Sequence, residues 1–511
     1  MRNPISLLIL LAGLQSVLPA QTGSGPLPDQ TLHSASGLAG PFGQAFDASD
    51  SYLVAGSSQA SPSPSVTREL TVFEKGPSGW VMYGALPTSD PSLGGRIESV
   101  SVSLDRIAVG IPESQDGGFV NVFRRDPTGW VLEATLRAPE TWIGDAFGTD
   151  VSLDGTTLAV VSPGVFGTSQ ALIHVFDLVA GTWQMTTRLG RPTCFNGNWT
   201  GLGWVEIRGN HIVSKTHHGS PFSHWRRVGS EWEYQGDQGQ STNILSTNGS
   251  MDGARLAVAD THPSAGTGRI LLYELAGGTW TNTQTVTLSD AQSGDLLGLR
   301  LDLTGDRLLA SLDRDGGYVV RFGRNDAGDY VELDRIGNPS TALNSKFAED
   351  QVLYKNGETL ISDRNGNGAI HTYREIVGPA NLCPVTANST GHPSVLWATG
   401  SVEVNRAGLV LNVAGLPINE FGYFISGPNT GQAPVLAGTL CLGAPIGRHD
   451  DLVLFSGRSG TVSRLIDLTS MPIPTPPFAT MLVPGDTWHL QYWHRDGSSA
   501  NFSDAITITA E

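Results

Sequence analysis

The sequence predicts an all-β protein, a seven-bladed β-propeller followed by a C-terminal β-sandwich. Three observations lead to this prediction: a short apolar run recurs seven times, further short strands surround each copy, and no window has sustained helical periodicity. A repeat of roughly 40–50 residues with strand-like content is typical of propellers. The runs begin at Leu53, Ile107, Leu158, Ile212, Leu256, Leu308 and Leu360.

One copy shows clearly why each unit should contain four strands. A first strand runs from Phe147 to Leu153, and Asp154-Gly155 tolerates the positive φ angles of a tight hairpin. The apolar run from Leu158 to Val161 is the second strand, and Ala171 to Phe176 alternates as a third. After another turn, Trp183 to Leu189 forms the fourth, and other copies keep this order.

The two ends of the array predict how the ring closes. The last copy has a third strand from Ala369 to Tyr373, but no Trp-led fourth strand follows it. The missing piece lies at the other end, where Asp29 to Ser34 precedes Phe42 much as Glu133 to Ala138 precedes the next repeat. We therefore expect an N-terminal strand to complete the last blade and remove two exposed sheet edges.

The chain is expected to contain three segments. Residues 1–20 have the pattern of a secretory signal peptide, with Arg2 in front of an apolar stretch and Pro19-Ala20 before Gln21. Residues 21–376 would form the propeller, and residues 380–511 the sandwich. This organisation predicts an exported protein, secreted or held at the cell surface or in the periplasm, without a transmembrane segment.

Charge and cysteines narrow the choice of partners and compartment. A net charge of −17 argues against a nucleic-acid partner, because phosphate binding requires a basic surface. Cys383 and Cys441 lie in the same C-terminal segment and are predicted to pair in an oxidising compartment. Cys194 would be left over, either as a buried thiol or in an intermolecular bond, and sequence alone does not fix the pairing of three cysteines.

The blade pattern resembles FG-GAP repeats, the unit of the integrin α-subunit propeller and of many secreted bacterial proteins. The matching residues include Phe42-Gly43 and Phe147-Gly148, and degenerate copies have Leu297-Gly298 and Phe347-Ala348. The resemblance covers roughly residues 25 to 376 and implies a propeller with a binding role. The C-terminal segment, with motifs such as LCLGAPIGR, is similar to a module of large exported bacterial proteins and implies no activity.

The resemblance also raises the question of calcium. The best-known family members bind Ca²⁺ through an Asp-x-Asp-x-Asp-Gly loop, whereas the corresponding hairpins here, such as Leu153-Asp154-Gly155, contain one acid. The nearest similar loop contains Asp363, Asn365 and Asn367. Since it lacks the terminal bidentate acid, we interpret it as an Asx- and Gly-rich turn and predict no cofactor, with Ca²⁺ as the alternative.

Other candidate chemistry is weak. The sequence has no Gly-x-Ser-x-Gly motif and no phosphate loop. Four histidines cluster in blade four, at positions 211, 217, 218 and 224, but neighbouring strands should scatter them. Trp488, Tyr492 and Trp493 are expected to fill the sandwich core, with a sugar-stacking face as the alternative.

Connection lengths predict which face of the propeller binds a ligand. The two–three and four–one connections are long and emerge on one face, and long loops on a rigid scaffold carry function. The candidate ligand-face residues are Trp142, Phe195, Trp199, His217, His218 and Phe222. We expect an exported non-enzymatic binding or adhesion protein with a protein or glycan ligand. The alternative is a secreted polysaccharide-active hydrolase whose acids converge at the propeller centre.

Overall fold

The computed structural model describes residues 28–510 apart from a set of short gaps. The gaps are 38–41, 60–66, 77–78, 88–95, 113–116, 140–145, 164–170, 191–202, 216–221, 239–245, 262–265, 315, 326–327, 340–346, 377–381, 384, 392, 400–401, 403, 405–408 and 458–459. Every helix or strand in the described part of the chain is a β-strand, as predicted. Within these residues we find no helix of the length and apolarity needed to cross a membrane.

Four-stranded antiparallel sheets follow one another along the chain, and we call them blades 1 to 7. After the first strand, β1 (Gln30–Leu32), the strands of blades 1 to 3 are β2 (Ala45–Ala48), β3 (Tyr52–Gln59), β4 (Thr67–Gly76), β5 (Gly79–Leu86); β6 (Ser99–Ser103), β7 (Arg106–Ile111), β8 (Phe119–Asp126), β9 (Gly129–Leu136); β10 (Val151–Asp154), β11 (Thr157–Ser162), β12 (Leu172–Val179) and β13 (Thr182–Leu189). Those of blades 4 to 6 are β14 (Val205–Arg208), β15 (His211–Lys215), β16 (Phe222–Val228), β17 (Glu231–Gln238); β18 (Ser246–Asp252), β19 (Arg255–Asp260), β20 (Arg269–Ala276), β21 (Thr279–Val286); β22 (Leu301–Thr304), β23 (Arg307–Leu312), β24 (Tyr318–Arg324) and β25 (Tyr330–Gly337). Each predicted apolar run is the second strand of its blade.

The last blade takes its fourth strand from the N-terminus, as the sequence predicts. Its own strands are β26 (Phe347–Lys355), β27 (Glu358–Asp363) and β28 (Ala369–Ile376). The strand β1 pairs antiparallel with β28, and Thr31 lies opposite His371. The ring of sheets is therefore closed by hydrogen bonds between the two ends of the array.

The Phe-Gly pairs explain how one blade is attached to the next. Phe147 is fully buried, its backbone N–H donates to Gly117 O (3.0 Å), and Gly118 forms a parallel bridge with it. Gly148 follows with φ +95°, a conformation that favours glycine, and its N–H donates to Val161 O (3.0 Å) in the second strand. The motif thus leads the chain from one blade into the inner strand of the next. In the degenerate copy Ala348 adopts φ +60° without being glycine.

The C-terminal part contains two further layers. The first layer contains β29 (Val395–Thr399), β30 (Leu409–Ala414) and β36 (Val462–Ile466). The second contains β31 (Phe421–Gly427), β34 (Gly447–Arg448), β35 (Leu454–Phe455), β39 (Thr487–Asp496) and β40 (Ser499–Thr509), and the remaining hairpins are β32 (Asn429–Val435) with β33 (Gly438–Gly443) and β37 (Met471–Pro472) with β38 (Ala479–Thr480). Leu411 of the first layer and Phe424 of the second are fully buried in one core that the two layers share.

The C-terminal part also contacts the propeller directly. The strand β29 continues the edge of β28 beyond the residues that β1 occupies, with Ile376 opposite Ala398. Leu333 of blade 6 packs against Trp397 and Ala414 in a small buried cluster. A sheet edge and an apolar contact therefore join the two parts.

The predicted disulfide is present. Cys383 and Cys441 form a disulfide with their Cα atoms 5.6 Å apart, and both residues are buried. This bond joins the segment before β29 to the hairpin strand β33. Cys194 lies outside the described residues.

Candidate functional site

The first strands of all seven blades surround a central cavity of about 500 Å³. Each of these strands follows a long connection and ends in a tight hairpin, so its side chains line the cavity in tiers. Several acids line the cavity, among them Asp47, Asp150, Glu206 and Asp302, and so do the cations Arg208, Arg300 and Lys355. The cavity is the place where the sequence-based alternative, a hydrolase, would need its acids to meet.

The middle tier is held together by one kind of hydrogen bond. The inner residue of one blade accepts a hydrogen bond from a backbone N–H of the next blade. The bonds run from Val102 N to Asp47 Oδ2 (2.7 Å), from Leu153 N to Ser101 Oγ (3.0 Å), from Ile207 N to Ser152 Oγ (3.1 Å), from Leu303 N to Ser250 Oγ (2.9 Å) and from Tyr354 N to Asp302 Oδ2 (2.8 Å). Two of the converging acids therefore help to hold neighbouring blades together.

The hairpin aspartates do the same at the lower end of the cavity. Gly209 N donates to Asp154 Oδ2 (2.6 Å), and Gly305 N donates to Asp252 Oδ2 (2.8 Å). Here the single acid of each of these hairpins accepts a hydrogen bond from the hairpin of the following blade.

Glu206 is the cavity acid with the most unusual environment. The pKa of the Glu206 carboxyl is raised to about 7. Burial is the main cause, the positive charge of Arg208 opposes it, and the negative charges of Asp47 and Asp302 add to it. The guanidinium of Arg208 lies 3.1 Å from Glu206 Oε2. Lys355 also lowers this pKa, so the carboxyl lies within electrostatic reach of groups from several blades.

Asp150 belongs to the upper tier, toward the long connections. Burial raises the pKa of its carboxyl to about 7, a hydrogen bond from Val205 N (2.7 Å) opposes this, and the charge of Glu206 adds to it. Two acids of adjacent blades thus have pKa values near neutrality.

The sequence did not single out these cavity residues, because they belong to different repeats. Asp47, Glu206 and Asp302 each have ordinary neighbours in the chain and form no short motif. Aligning the repeats on their first hairpins would have placed the acids in one column with the inner serines. That alignment is the signal by which the tier could have been found.

Most of the predicted ligand-face residues cannot be placed. Trp142, Phe195, Trp199, His217 and His218 lie outside the described residues. The sixth candidate, Phe222, lies within them.

The prediction that Phe222 belongs to the ligand face is wrong. Phe222 begins β16 and is fully buried, with its ring 5.2 Å from that of Tyr273 and 5.9 Å from that of Trp280 in the adjoining blade. A ring packed between two blades is not available to a ligand. Phe222 is therefore a core residue and not part of the predicted ligand face.

The histidine cluster is partly described. His211 Nδ1 lies 3.0 Å from His224 Nε2, and the two rings stack. Burial lowers the pKa of His224 to about 4, so the pair is neutral near pH 7. Nowhere in the described chain are three or more His, Cys, Asp or Glu side chains grouped so that they could hold a metal ion.

The loop that was weighed as a calcium site uses its oxygens within the protein. Asp363 Oδ1 accepts hydrogen bonds from Asn365 N (2.9 Å) and Asn365 Nδ2 (2.6 Å), and Asp363 Oδ2 lies 3.2 Å from His371 Nε2. The carbonyl of Asn367 accepts from Phe42 N (3.0 Å). The loop therefore has the hydrogen bonding of an Asx turn that also contacts the first blade.

Comparisons with known proteins add little about function. No family model matches the chain, and no curated protein matches it. Among solved structures, the WD40 propeller domain of Doa1 has a TM-score of 0.43 and 12% identity, over 68% of this chain and 96% of that one. A chain of the mitotic checkpoint complex has a TM-score of 0.42 and 13% identity, over 73% and 99%. A Bacteroides fragilis protein described as a 6-phosphogluconolactonase has a TM-score of 0.41 and 14% identity, over 58% and 84%.

At such identities and TM-scores these similarities say nothing about activity. The closed ring of four-stranded sheets in this chain defines the class. The protein is a β-propeller protein with an additional two-layered C-terminal part.

Proposed function

We propose that this is an exported, non-enzymatic binding protein of the FG-GAP type, which holds a protein or glycan ligand on the loop-lined face of its propeller. The asymmetry of the connections carries this proposal. Tight hairpins join strands at one face, as between Asp154 and Thr157, whereas the connections that join strand ends at the other face are longer in sequence, as between Leu189 and Val205. A rigid ring with long loops on one face is a common design for recognition.

The central cavity supports a binding role more than a catalytic one. Both carboxylate oxygens of Asp47 accept backbone hydrogen bonds, from Ala48 (2.8 Å) and Val102 (2.7 Å). Asp302 accepts hydrogen bonds from Tyr354 N (2.8 Å) and from the Thr304 hydroxyl (3.1 Å). Acids used in this way stabilise the ring and are poorly placed to attack or protonate a substrate.

Export rests on the signal-like residues 1–20, which lie outside the described residues, and on the disulfide between Cys383 and Cys441. Disulfides persist in oxidising compartments. We further propose that residues 21–376 and 380–511 are the two functional units, with a ligand-binding propeller and an accessory module.

The proposal is tested by screening the full chain against immobilised glycans and extracellular proteins. Trp142→Ala and Trp199→Ala, on the long loops, should weaken binding of any ligand found, by about tenfold if these residues are central to the contact. Val179→Ala changes an exposed residue of a tight hairpin on the opposite face and serves as the control. Equal loss in all three variants, or loss in none, would argue against the loop face.

One observation favours the second candidate, a polysaccharide-active hydrolase. Glu206 has a pKa near neutrality in a cavity that also contains Asp47 and Asp302, and this is the environment that a general acid requires. Incubation of the chain with a panel of polysaccharides, followed by reducing-end detection, tests it. Activity abolished by Glu206→Gln would establish the hydrolase, and its absence across the panel would leave the binding role.

A further inference from the structure

The upper tier of the central cavity contains a guanidinium whose partners within the protein are incomplete. Arg300 immediately precedes β22 of blade 6 and lines the cavity. Its Nη1 donates to Leu299 O (3.1 Å), whereas its Nε is buried without a hydrogen-bond partner among the described residues. The acids whose charges act most on it, Asp350 and Glu349, both pair with Arg364, at 3.1 and 3.8 Å. A guanidinium is always charged, so this side chain can still accept an anionic partner.

Asp150 is the counterpart of Arg300 in blade 3. The two residues occupy equivalent positions, because Val161 N donates to Asp150 O (2.9 Å) just as Ser311 N donates to Arg300 O (2.9 Å). The carboxyl of Asp150 accepts a hydrogen bond from Val205 N (2.7 Å), and the side chain lines the same cavity. Its partner is thus a backbone amide of the next blade. The negative charge of Asp150 can still accept a cationic partner.

The ring holds these two charges near each other without bringing them into contact. Blades 4 and 5 lie between them on one side, and blades 7, 1 and 2 on the other, so the two positions are nearly opposite across the cavity. The charge of Arg300 lowers the pKa of Asp150, and the charge of Asp150 raises the pKa of Arg300. Each group therefore lies within electrostatic reach of the other, and a ligand that spans the cavity could pair with both.

The side chains between the two charges are uncharged. Trp204 of blade 4 and Asn248 of blade 5 line the cavity between Asp150 and Arg300. The indole of Trp204 packs against the backbone of Gly249, where a Cβ atom would lie 2.4 Å from the ring. The ring is therefore held in a fixed place. An aromatic ring and an amide can contact the body of a small polar ligand without competing for either of its charges.

The charge of the lining and the size of the cavity select one class of ligand. Acids outnumber cations among the described residues that line the cavity, which opposes a simple anion. A simple cation would leave Arg300 incompletely paired. The volume of about 500 Å³ suits a small molecule. We propose that the upper tier binds a small zwitterion of the amino-acid class, with its carboxylate on Arg300 and its ammonium group on Asp150.

The test titrates the full chain with free amino acids, β-alanine and γ-aminobutyrate and measures the heat of binding. At least one zwitterion should bind, and its analogues with a single charge, such as butyrate and butylamine for γ-aminobutyrate, should bind about tenfold more weakly or worse. Arg300→Gln and Asp150→Asn should each weaken binding of the zwitterion by about tenfold. Arg448→Gln, which changes an exposed arginine of the C-terminal part, is the matched control and should leave binding unchanged.

The pH dependence of binding separates a direct role of Asp150 from a structural one. Glu206 and Arg300 are the charged groups that act on Asp150, whose pKa is about 7. The affinity of the wild type should fall by about tenfold from pH 8 to pH 6, because the carboxylate takes up a proton over this range. Asp150→Asn should lose most of this dependence. Thermal denaturation of each variant shows whether it is folded.

The proposal is overturned if no zwitterion binds, or if a single-charge analogue binds as tightly as the zwitterion. It is also overturned if Arg300→Gln and Arg448→Gln behave alike. The loop variants Trp142→Ala and Trp199→Ala should leave binding of the zwitterion unchanged. Binding in the cavity is thereby distinguished from binding of a protein or glycan on the loop-lined face, and each can fail without the other.

Discussion

Gln30 and Trp80 hydrogen-bond to each other in both directions across the junction that closes the ring. The side-chain amide of Gln30 donates to Trp80 O (2.6 Å), and Trp80 N donates to Gln30 Oε1 (2.9 Å). The same reciprocal pair joins Gln284 and Tyr330, at 2.8 Å in each direction, between two blades that are continuous in sequence. The junction between the chain ends is thus built like an ordinary junction between blades.

Removing residues 21–36 should therefore destabilise the propeller strongly. The deletion removes β1, the two hydrogen bonds between Gln30 and Trp80, and the side-chain hydrogen bond of Ser36 with Glu69. It also opens two sheet edges. Thermal denaturation should show a fall of many degrees in the melting temperature. Replacing residues 191–202 of one long connection by glycine and serine should cost far less, and equal stability of the truncated and intact chains would contradict closure by β1.

Stability should depend on pH through Asp150. The pKa of Asp150 is raised from 3.8 to about 7 in the folded protein. Between pH 3.8 and about pH 7 the folded state therefore binds more protons at this carboxyl than the unfolded state does. The free energy of unfolding consequently falls as pH rises through that window. Asp150→Asn should match the wild type near pH 4 and be more stable at pH 8 by about 1–2 kcal/mol, allowing for partial solvent access. Chemical denaturation at both pH values measures this. A stability difference of the same size at both pH values would contradict the raised pKa of Asp150.

Calcium should have little effect on the protein. Since the Asp363 oxygens are already used by Asn365 and His371, millimolar Ca²⁺ should leave the melting temperature nearly unchanged. Asp363→Ala should lower stability by about 1–2 kcal/mol with or without Ca²⁺, through the loss of these hydrogen bonds. A rise of several degrees with Ca²⁺ that Asp363→Ala abolishes would show a real calcium site.

The disulfide should stabilise the C-terminal part. A bond between Cys383 and Cys441, which are 58 positions apart, should contribute about 4 kcal/mol by restricting the unfolded chain. Reduction, or Cys383→Ser, should lower the denaturation midpoint accordingly. Thiol titration of the native, exported protein should detect neither cysteine until it is reduced, and two reactive thiols there would rule the bond out.

Residues 380–511 should fold when expressed alone in an oxidising compartment, because the two layers share a core of their own. The isolated segment should expose Trp397, which contacts Leu333 in the full chain, and its fluorescence should shift to longer wavelength. Trp397→Phe should remove that shift. An insoluble or unfolded segment would indicate that the pairing of β28 with β29 is essential.

How much of the fold could be predicted from the sequence depends on how each strand is buried. Second strands such as β11 have apolar residues on both faces, since blades pack against both sides, and their signal is strong. The mostly exposed strand β32 and the short strand β29 were not foreseen. The sequence from Ser401 to Val404 alternates as a strand would, but Val404 lies in a turn. Trp488 and Tyr492 fill the core of the C-terminal part as predicted, but Trp493 packs in a separate cluster on the opposite face.

The candidate site was less predictable than the fold. Phe222 was placed on the ligand face because a long loop precedes it, but its position in β16 turns the ring toward the adjoining blade. The cavity acids Asp47 and Glu206 meet only because the ring closes, and nothing in their local sequence indicates it. Long-range juxtaposition of this kind follows from topology and not from short motifs.

The hydrogen bonds of the middle tier bear on how the sequence of such a chain can vary. In the pair of Asp47 with Val102, as in the pair of Ser101 with Leu153, the donor is a main-chain amide, which every residue except proline supplies. This part of the contact between blades therefore does not depend on which side chain follows in the neighbouring blade. The inner strands can differ in sequence from copy to copy while these bonds, and with them the register between blades, are kept.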